Sequence, residues 1–498
     1  MRHSILAATL LAFFAGCATT SASQPETAAA AQQEAQPAAE ADAWRATPPQ
    51  PGQPPDLVTP TFQKKVLENG LTVLVAERHD LPLVSVNVAF SAGSAADPND
   101  KAGLAEVTYE TLLEGAGRYD AMALDEAFAD LGTSPYVSVG HDGAMVGTQV
   151  LARNVDEATK LVADVVLRPQ FRQASFDRRK QLQLGDLAAQ VGNPRYLAGE
   201  TFAEVAYGEA HPYGKLGSGT PASVGKLTLA DAKRFWAQHT GPKAAAFVVA
   251  GDVTMEQAEK LARAYFGKWK GDAKPMAKPG APASTARETV TFVPKAGLNQ
   301  TVILMGRPAL EAGHPDEYAL DLASTVFGGF FGSRLNMNLR EAKGYTYGAR
   351  AYVDARRGVG PLVASSAVRA DVTGPALEVF LDELKGVKQR PITAEELEAA
   401  REGIIRSIPG SFESVGGLAG AAASLFWKDE PLDHYAKMIE GYQNADAAAV
   451  QAAAEKYFDP AHMHIVLVGD PQVIREQVQP LGLGELRERN PVVPAAAR

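Results

Sequence analysis

Two landmarks recur along this chain at almost one spacing, and they constrain its fold more than any single motif. Arg168-Pro169 precedes a charge-rich helical stretch and so does Arg390-Pro391, with the prolines at 169 and 391 offset by 222. Phe247-Val248-Val249-Ala250-Gly251-Asp252-Val253 follows a helical stretch ending near Trp236. Ile465-Val466-Leu467-Val468-Gly469-Asp470-Pro471 follows one ending near Phe458, and the glycines at 251 and 469 are offset by 218. The same signals in the same order predict a duplicated α+β domain of about 210 residues. Local patterns fill in the first copy. Val66 to Val75 reads as strand, Asn69-Gly70 turn and strand, and Leu83 to Phe90 alternates as a further strand. Helical periodicity covers 102–114, 121–131, 155–166 and 173–190. The Pro/Ala/Lys-rich stretch from Lys274 to Pro282 separates the copies, giving domains over 61–273 and 288–490 with a linker over 274–287.

The N-terminus is a different kind of sequence. A basic start, Met1-Arg2-His3, leads into an apolar run from Ile5 to Ala15 and then Gly16-Cys17, the form of a secretory leader. The run is shorter than the ~20 residues a membrane-spanning helix needs. Phe14-Ala15-Gly16-Cys17 resembles the bacterial lipobox, which implies cleavage before Cys17 and lipid on its thiol. A plain secreted protein with an incidental cysteine is the alternative. Residues 18–60, rich in Ala, Gln, Pro, Glu and Thr, read as a disordered tether. The expectation is a lipid-anchored protein of the bacterial cell envelope, on the periplasmic face of the outer membrane.

Charge and cysteine usage exclude other classes. With 48 basic and 58 acidic residues the chain carries −10, and it has no basic block of the kind that neutralises phosphates, so nucleic acid is not an expected partner. Cys17 is the only cysteine, which rules out an internal disulfide and a cysteine zinc site.

Ala102-Gly103-Leu104-Ala105-Glu106-Val107-Thr108-Tyr109-Glu110-Thr111-Leu112-Leu113-Glu114-Gly115 is similar to a segment of the M16 zinc peptidases (pitrilysin, insulysin and mitochondrial processing peptidase). Those read A-G-L-A-H-x-x-E-H-x-L-F-x-G. The resemblance extends from about residue 61 to 485. It implies two homologous domains, each a mainly antiparallel sheet packed with helices, forming a clamshell. Two imidazoles four residues apart bind zinc from one helical face, and the intervening Glu activates a water. In this chain Glu106 and Glu110 stand at the histidine positions and Tyr109 at the base, and a phenol is a poor base at neutral pH. The family's third ligand, a downstream Glu, aligns with Gly185, one register from Asp186. These are degenerate metal-site positions, and no cofactor is expected in this chain. A hard cation held by Glu106, Glu110 and Asp186 is the alternative to a solvated helix face. None of the nine histidines builds a substitute motif; His462-x-His464 falls near the start of the last strand, and His211 reads as structural.

The second half keeps a different signature. Gly328-Gly329-Phe330-Phe331-Gly332-Ser333-Arg334-Leu335, then Leu339-Arg340-Glu341-Ala342-Lys343-Gly344-Tyr345-Thr346-Tyr347-Gly348, matches the family's G-G-x-x-x-S-R-L and L-R-E-x-x-G-x-x-Y. The resemblance implies that Arg340 and Tyr347 reach substrate bound at a zinc in the opposite half. There a guanidinium fork and a phenol would serve a peptide carbonyl and its developing oxyanion. Gly328, Gly329 and Gly332 would let peptide approach the backbone, or simply form a tight turn. Pro135 stands where the family's first half receives peptide as an added strand, which argues against strand addition there. The uneven loss implies the zinc-less subunit of a heterodimer, whose H-x-x-E-H partner holds the zinc and whose substrate is an unfolded peptide. Two other readings stay open: a peptide-binding or assembly lipoprotein without catalysis, and a stand-alone hydrolase with a non-histidine metal.

Overall fold

The computed structural model describes residues 57–283 and 289–490, which fall in one compact unit. Cys17 with its leader, most of the 18–60 stretch and the end of the 274–287 linker lie outside the described residues.

Two six-stranded sheets share one plan. The first contains β1 (Phe62–Val66), β2 (Thr72–Glu77), β3 (Leu83–Phe90), β6 (Tyr136–Val139), β7 (Ala144–Leu151) and β8 (Ala245–Gly251), while β4 (Gly115–Ala116) and β5 (Tyr119–Asp120) form a small separate hairpin. Its order is β1-β2-β8-β3-β7-β6. The second contains β9 (Thr289–Pro294), β10 (Gln300–Leu310), β11 (Thr346–Val353), β12 (Gly360–Arg369), β13 (His464–Gly469) and β14 (Glu485–Glu488), ordered β11-β12-β10-β13-β9-β14. In each, the strand ending at the repeated glycine, Gly251 or Gly469, lies parallel to one neighbour and antiparallel to the other. Only the outermost strand differs. β1 enters antiparallel from the N-terminal side, whereas β14 arrives from the far end of the chain and runs parallel to β9.

Both sheets are apolar on both faces, and the reason is reciprocal. On the first sheet Val73, Val75, Val86, Val88, Phe247 and Val249 point into a core built with the domain's own helices. The alternating set Leu74, Ala76, Ala89, Ala246, Val248 and Ala250 points the other way. That second face is covered by the helix Val415–Lys428 of the other domain, which packs on β2, β3 and β8. Its Gly- and Ala-rich sequence and the alanines of the sheet let the two backbones come close. The converse holds for the second sheet, where Val302, Val363, Val466 and Val468 meet Leu197, Ala198 and Phe202 of the helix Pro194–Tyr207. These exchanged helices begin at 194 and 415, an offset of 221, so they are one element of the repeat used twice. Gly306 accommodates the contact, since a Cβ there would lie 2.8 Å from the Phe202 ring. A sheet covered on both sides reads as continuous hydrophobic strands, and β8 is buried throughout.

The expected helices form at Leu104–Leu112, Ala121–Ala129, Val155–Leu167 and Gln173–Gln190. One placement needs correcting. The strand that follows His462 is not the last of the chain, and His462 itself lies in the preceding turn, where its Nδ1 is 2.9 Å from Asp459 Oδ2. His462 and His464 therefore do not share a strand face.

Candidate functional site

The helix Leu104–Leu112 is fixed at its N-terminus by Asp97. This half-buried carboxylate accepts backbone N–H bonds from Gly103 (2.8 Å), Leu104 (3.1 Å) and Ala105 (2.7 Å). Gly103 adopts the left-handed region at φ 92°, where a Cβ would also strike the backbone oxygen of Ser218. Tyr109 turns into the domain interior. Its hydroxyl donates to the Ala92 carbonyl at 2.8 Å, and its ring lies 5.5 Å from Phe90, 5.8 Å from Trp236 and 6.1 Å from Phe235. Burial holds its phenol well above the ordinary tyrosine range, so it keeps its proton and cannot serve as a base.

Glu106 and Glu110 occupy the other side of the helix, half-buried. Burial raises both carboxyls, and the charges of Glu110 and Asp186 raise Glu106 further, whereas Arg179 opposes the rise at Glu110. Arg179 lies on the helix Gln173–Gln190, 3.2 Å from Glu110 and 2.5 Å from the buried Glu114, which Arg178 also pairs. From the same helix Gln183 donates to the carbonyls of Gly103 (3.2 Å) and Ser218 (2.8 Å), tying the helices together. The cation facing this acidic helix is thus a guanidinium of the chain itself. The third family position also shifts. A Cβ at Gly185 would meet nothing within 4 Å, and it is Asp186 whose charge reaches Glu106. Helical spacing from Arg179 and Gln183 puts 186 on the shared face, a signal the sequence already held.

In the second domain a β-bulge presents the retained tyrosine. The pairing of β11 with β12 shifts between Thr346 and Ala349. Around it, Thr346 Oγ1 donates to the Ala367 carbonyl at 2.7 Å, the Gly348 N–H donates to Thr346 Oγ1 at 3.1 Å, and Ser366 Oγ donates to the Gly348 carbonyl at 3.0 Å. Bulges re-aim side chains, and here Tyr347 stands out from the sheet, 90% exposed. Arg340 is exposed too, its guanidinium 4.7 Å from the centre of the Phe331 ring and its Nε 3.3 Å from Glu341. Asn336 joins the two segments: its Nδ2 donates to the Phe331 carbonyl at 2.6 Å and its Oδ1 accepts the Ala349 N–H at 3.1 Å.

The glycines of this segment separate by role. Gly328 is buried, and a Cβ on it would lie 2.5 Å from the Ala351 nitrogen, so its smallness serves the approach of β11 rather than contact with peptide. Gly329 and Gly332 are exposed. Arg334 is structural, binding Glu396 with two 2.6 Å bonds and donating to the Arg390 and Pro391 carbonyls.

A family model described as "Insulinase (Peptidase family M16)" matches residues 72–211, and one described as "Peptidase M16 inactive domain" matches 226–404. The chain belongs to peptidase family M16. Relatives named as uncharacterized zinc proteases include one from Rickettsia bellii, 25% identical over 71% of this chain and 84% of its own length. Another, from Mycobacterium leprae, is 24% identical over 79% of this chain and 90% of its own. Among solved structures, a "peptidase M16 inactive domain" from Pseudomonas fluorescens superposes with a TM-score of 0.75 at 26% identity, covering 82% of this chain and 98% of that one. A protease from Helicobacter pylori has the same fold, with a TM-score of 0.76 at 20% identity, covering 82% and 100%.

The M16 zinc does not fit the residues present here. Neither histidine position carries a nitrogen ligand, Tyr109 is committed to the core, and Glu110 is paired with Arg179. Among the described residues no three His, Cys, Asp or Glu side chains are grouped to share a metal ion. The M16 edge strand β6 survives beside this helix. Pro135 lies just before Tyr136–Val139 rather than within it, so it removes no N–H from the strand that would receive peptide. That corrects the inference drawn from Pro135.

Glu106→Gln tests the electrostatics of this helix. Because the Glu106 carboxyl titrates above the 4.5 of the unfolded chain, the folded protein holds a proton that the unfolded chain has released. Wild-type stability therefore falls as the pH rises from 4.5 through the raised value. Glutamine removes that dependence. Glu106→Gln is expected to gain about 0.5–1 kcal/mol at neutral and alkaline pH and nothing below 4.5, as read by chemical denaturation across pH.

Proposed function

We propose that this chain is the zinc-less subunit of a two-chain M16 peptidase and presents Arg340 and Tyr347 to peptide bound by an H-x-x-E-H partner. One contrast carries this reading. The tyrosine at the old catalytic-base position is locked into the core by Ala92, while the tyrosine of the substrate-binding signature stands 90% exposed on a built bulge.

In that role the Arg340 guanidinium donates to a peptide carbonyl and keeps its charge at any physiological pH. The Tyr347 hydroxyl donates to the scissile carbonyl oxygen as it gains negative charge. The hydrolytic water comes from the partner's metal site, and unfolded peptide is the substrate class. The leader and Cys17 support placement at the cell envelope, tethered by lipid.

The test is co-expression with an H-x-x-E-H homologue from the same source. The two chains are expected to co-purify, with peptide cleavage requiring both and metal analysis of this chain alone returning no stoichiometric zinc. Tightly held zinc in the isolated chain, with proteolysis that chelation abolishes, would overturn the proposal.

A further inference from the structure

A cavity of about 570 Å³ lies at the seam of the two domains, where β1 and β2, the segment after Pro275 and the C-terminal end of the helix Val415–Lys428 converge. Its wall carries Lys64, Lys243, Lys278, Lys428 and Arg357 against two acids, Asp429 and Glu430. Glu430 lies 3.2 Å from His434, but burial holds that imidazole below its ordinary range, so the carboxylate keeps its charge. Lys278 pairs with Glu311, but Lys64, Lys243 and Lys428 form no ion pair among the described residues.

One wall residue also keeps a buried N–H group without an acceptor, Arg357 Nε. The rest of Arg357 is well bound. Its Nη1 donates to the Met276 carbonyl at 3.0 Å, and its backbone N–H donates to Asp142 at 2.9 Å. Asp142 is held in turn by the Tyr213 hydroxyl at 2.5 Å. The guanidinium is therefore fixed in place while one donor goes unmet. Buried donors nearly always find a partner, and unpaired cations beside this orphaned N–H group are the complement of an oxyanion.

We propose that this seam is a binding site for a multiply charged oxyanion, the phosphate of either a small phosphorylated molecule or a lipid headgroup. The excess of positive charge favours a dianionic phosphate over a single carboxylate, and the apolar wall from Leu74 and Phe426 suits an organic body attached to it. The site is built from both domains, so its ligand would clamp them together. It does not depend on Arg340, Tyr347 or any partner subunit.

The test is calorimetric titration of the full chain at 150 mM salt with inorganic phosphate and glycerol 3-phosphate. A parallel arm uses phosphatidylcholine vesicles with and without phosphatidylglycerol. The double variant Lys64→Ala/Lys428→Ala removes two charges, and Lys243→Ala removes a third, so neither depends on disturbing the Arg357 clamp. Saturable binding of about one phosphate per chain, weakened about tenfold by the double variant or several-fold by Lys243→Ala, supports the site with a soluble ligand. Binding only to vesicles containing phosphatidylglycerol, weakened by either variant, supports it with a lipid headgroup. No saturable binding in either arm, or binding that neither variant weakens, overturns it.

Discussion

Tyr347→Phe is expected to lower kcat of the proposed two-chain peptidase by about 10²–10³ while leaving the melting temperature of this chain unchanged. The magnitude is that of removing one donor to a developing oxyanion. The unchanged stability follows from exposure: with 90% of Tyr347 in solvent, its hydroxyl contributes nothing to the core, and surface changes of this kind stay within about 0.5 kcal/mol. Arg340→Ala is expected to act mainly through KM, because a guanidinium on a peptide carbonyl binds ground state and transition state alike. Arg340→Lys should recover only part of the loss, since an ammonium lacks the planar fork. Steady-state kinetics of the complex, beside thermal melts of each variant, separate the two effects. Full activity in both Tyr347→Phe and Arg340→Ala would remove these residues from the substrate site.

Much of the domain plan was legible because it rests on local pattern. The Asn69-Gly70 hairpin, the alternation of Leu83 to Phe90 and the repeated Gly-Asp ends of β8 and β13 are written in neighbouring residues. The exchange of the helices Pro194–Tyr207 and Val415–Lys428 was not, because a Gly- and Ala-rich helix does not name the sheet it will cover. The replacement of the family's zinc-motif residues was readable as a change at three positions. The direction of Tyr109 was half-readable, as it continues the apolar stripe of Ala105 and Leu112, whereas Glu106 and Glu110 lie off it. The bulge at Tyr347 was invisible. It depends on Ser366 and Asn336, which meet Thr346–Ala349 only after β12 and the segment before β11 have folded together. The seam cavity was invisible for the same reason, its cations being drawn from five separate stretches of chain.

Restoring the family's acidic residue at position 109 is expected to unfold the domain rather than revive catalysis. In Tyr109→Glu a carboxyl would replace a phenol that is wholly buried among Phe90, Phe235 and Trp236. The lost ring packing and the buried charge together cost about 4–5 kcal/mol or more, a large part of the stability of an ordinary domain. The variant's pH dependence identifies the cause. A carboxyl in that box would titrate above its unfolded value, so stability would fall further as the pH rises and recover in part under mild acid. Tyr109→Phe keeps the ring and loses only the bond to Ala92, a cost of about 1–2 kcal/mol with no dependence on pH. Denaturant melts of the two variants at pH 5 and pH 8 are the measurement. If Tyr109→Glu folded with wild-type stability at pH 8, the helix would have room to turn a carboxylate outward. The old base position would then be open to solvent rather than committed to the core.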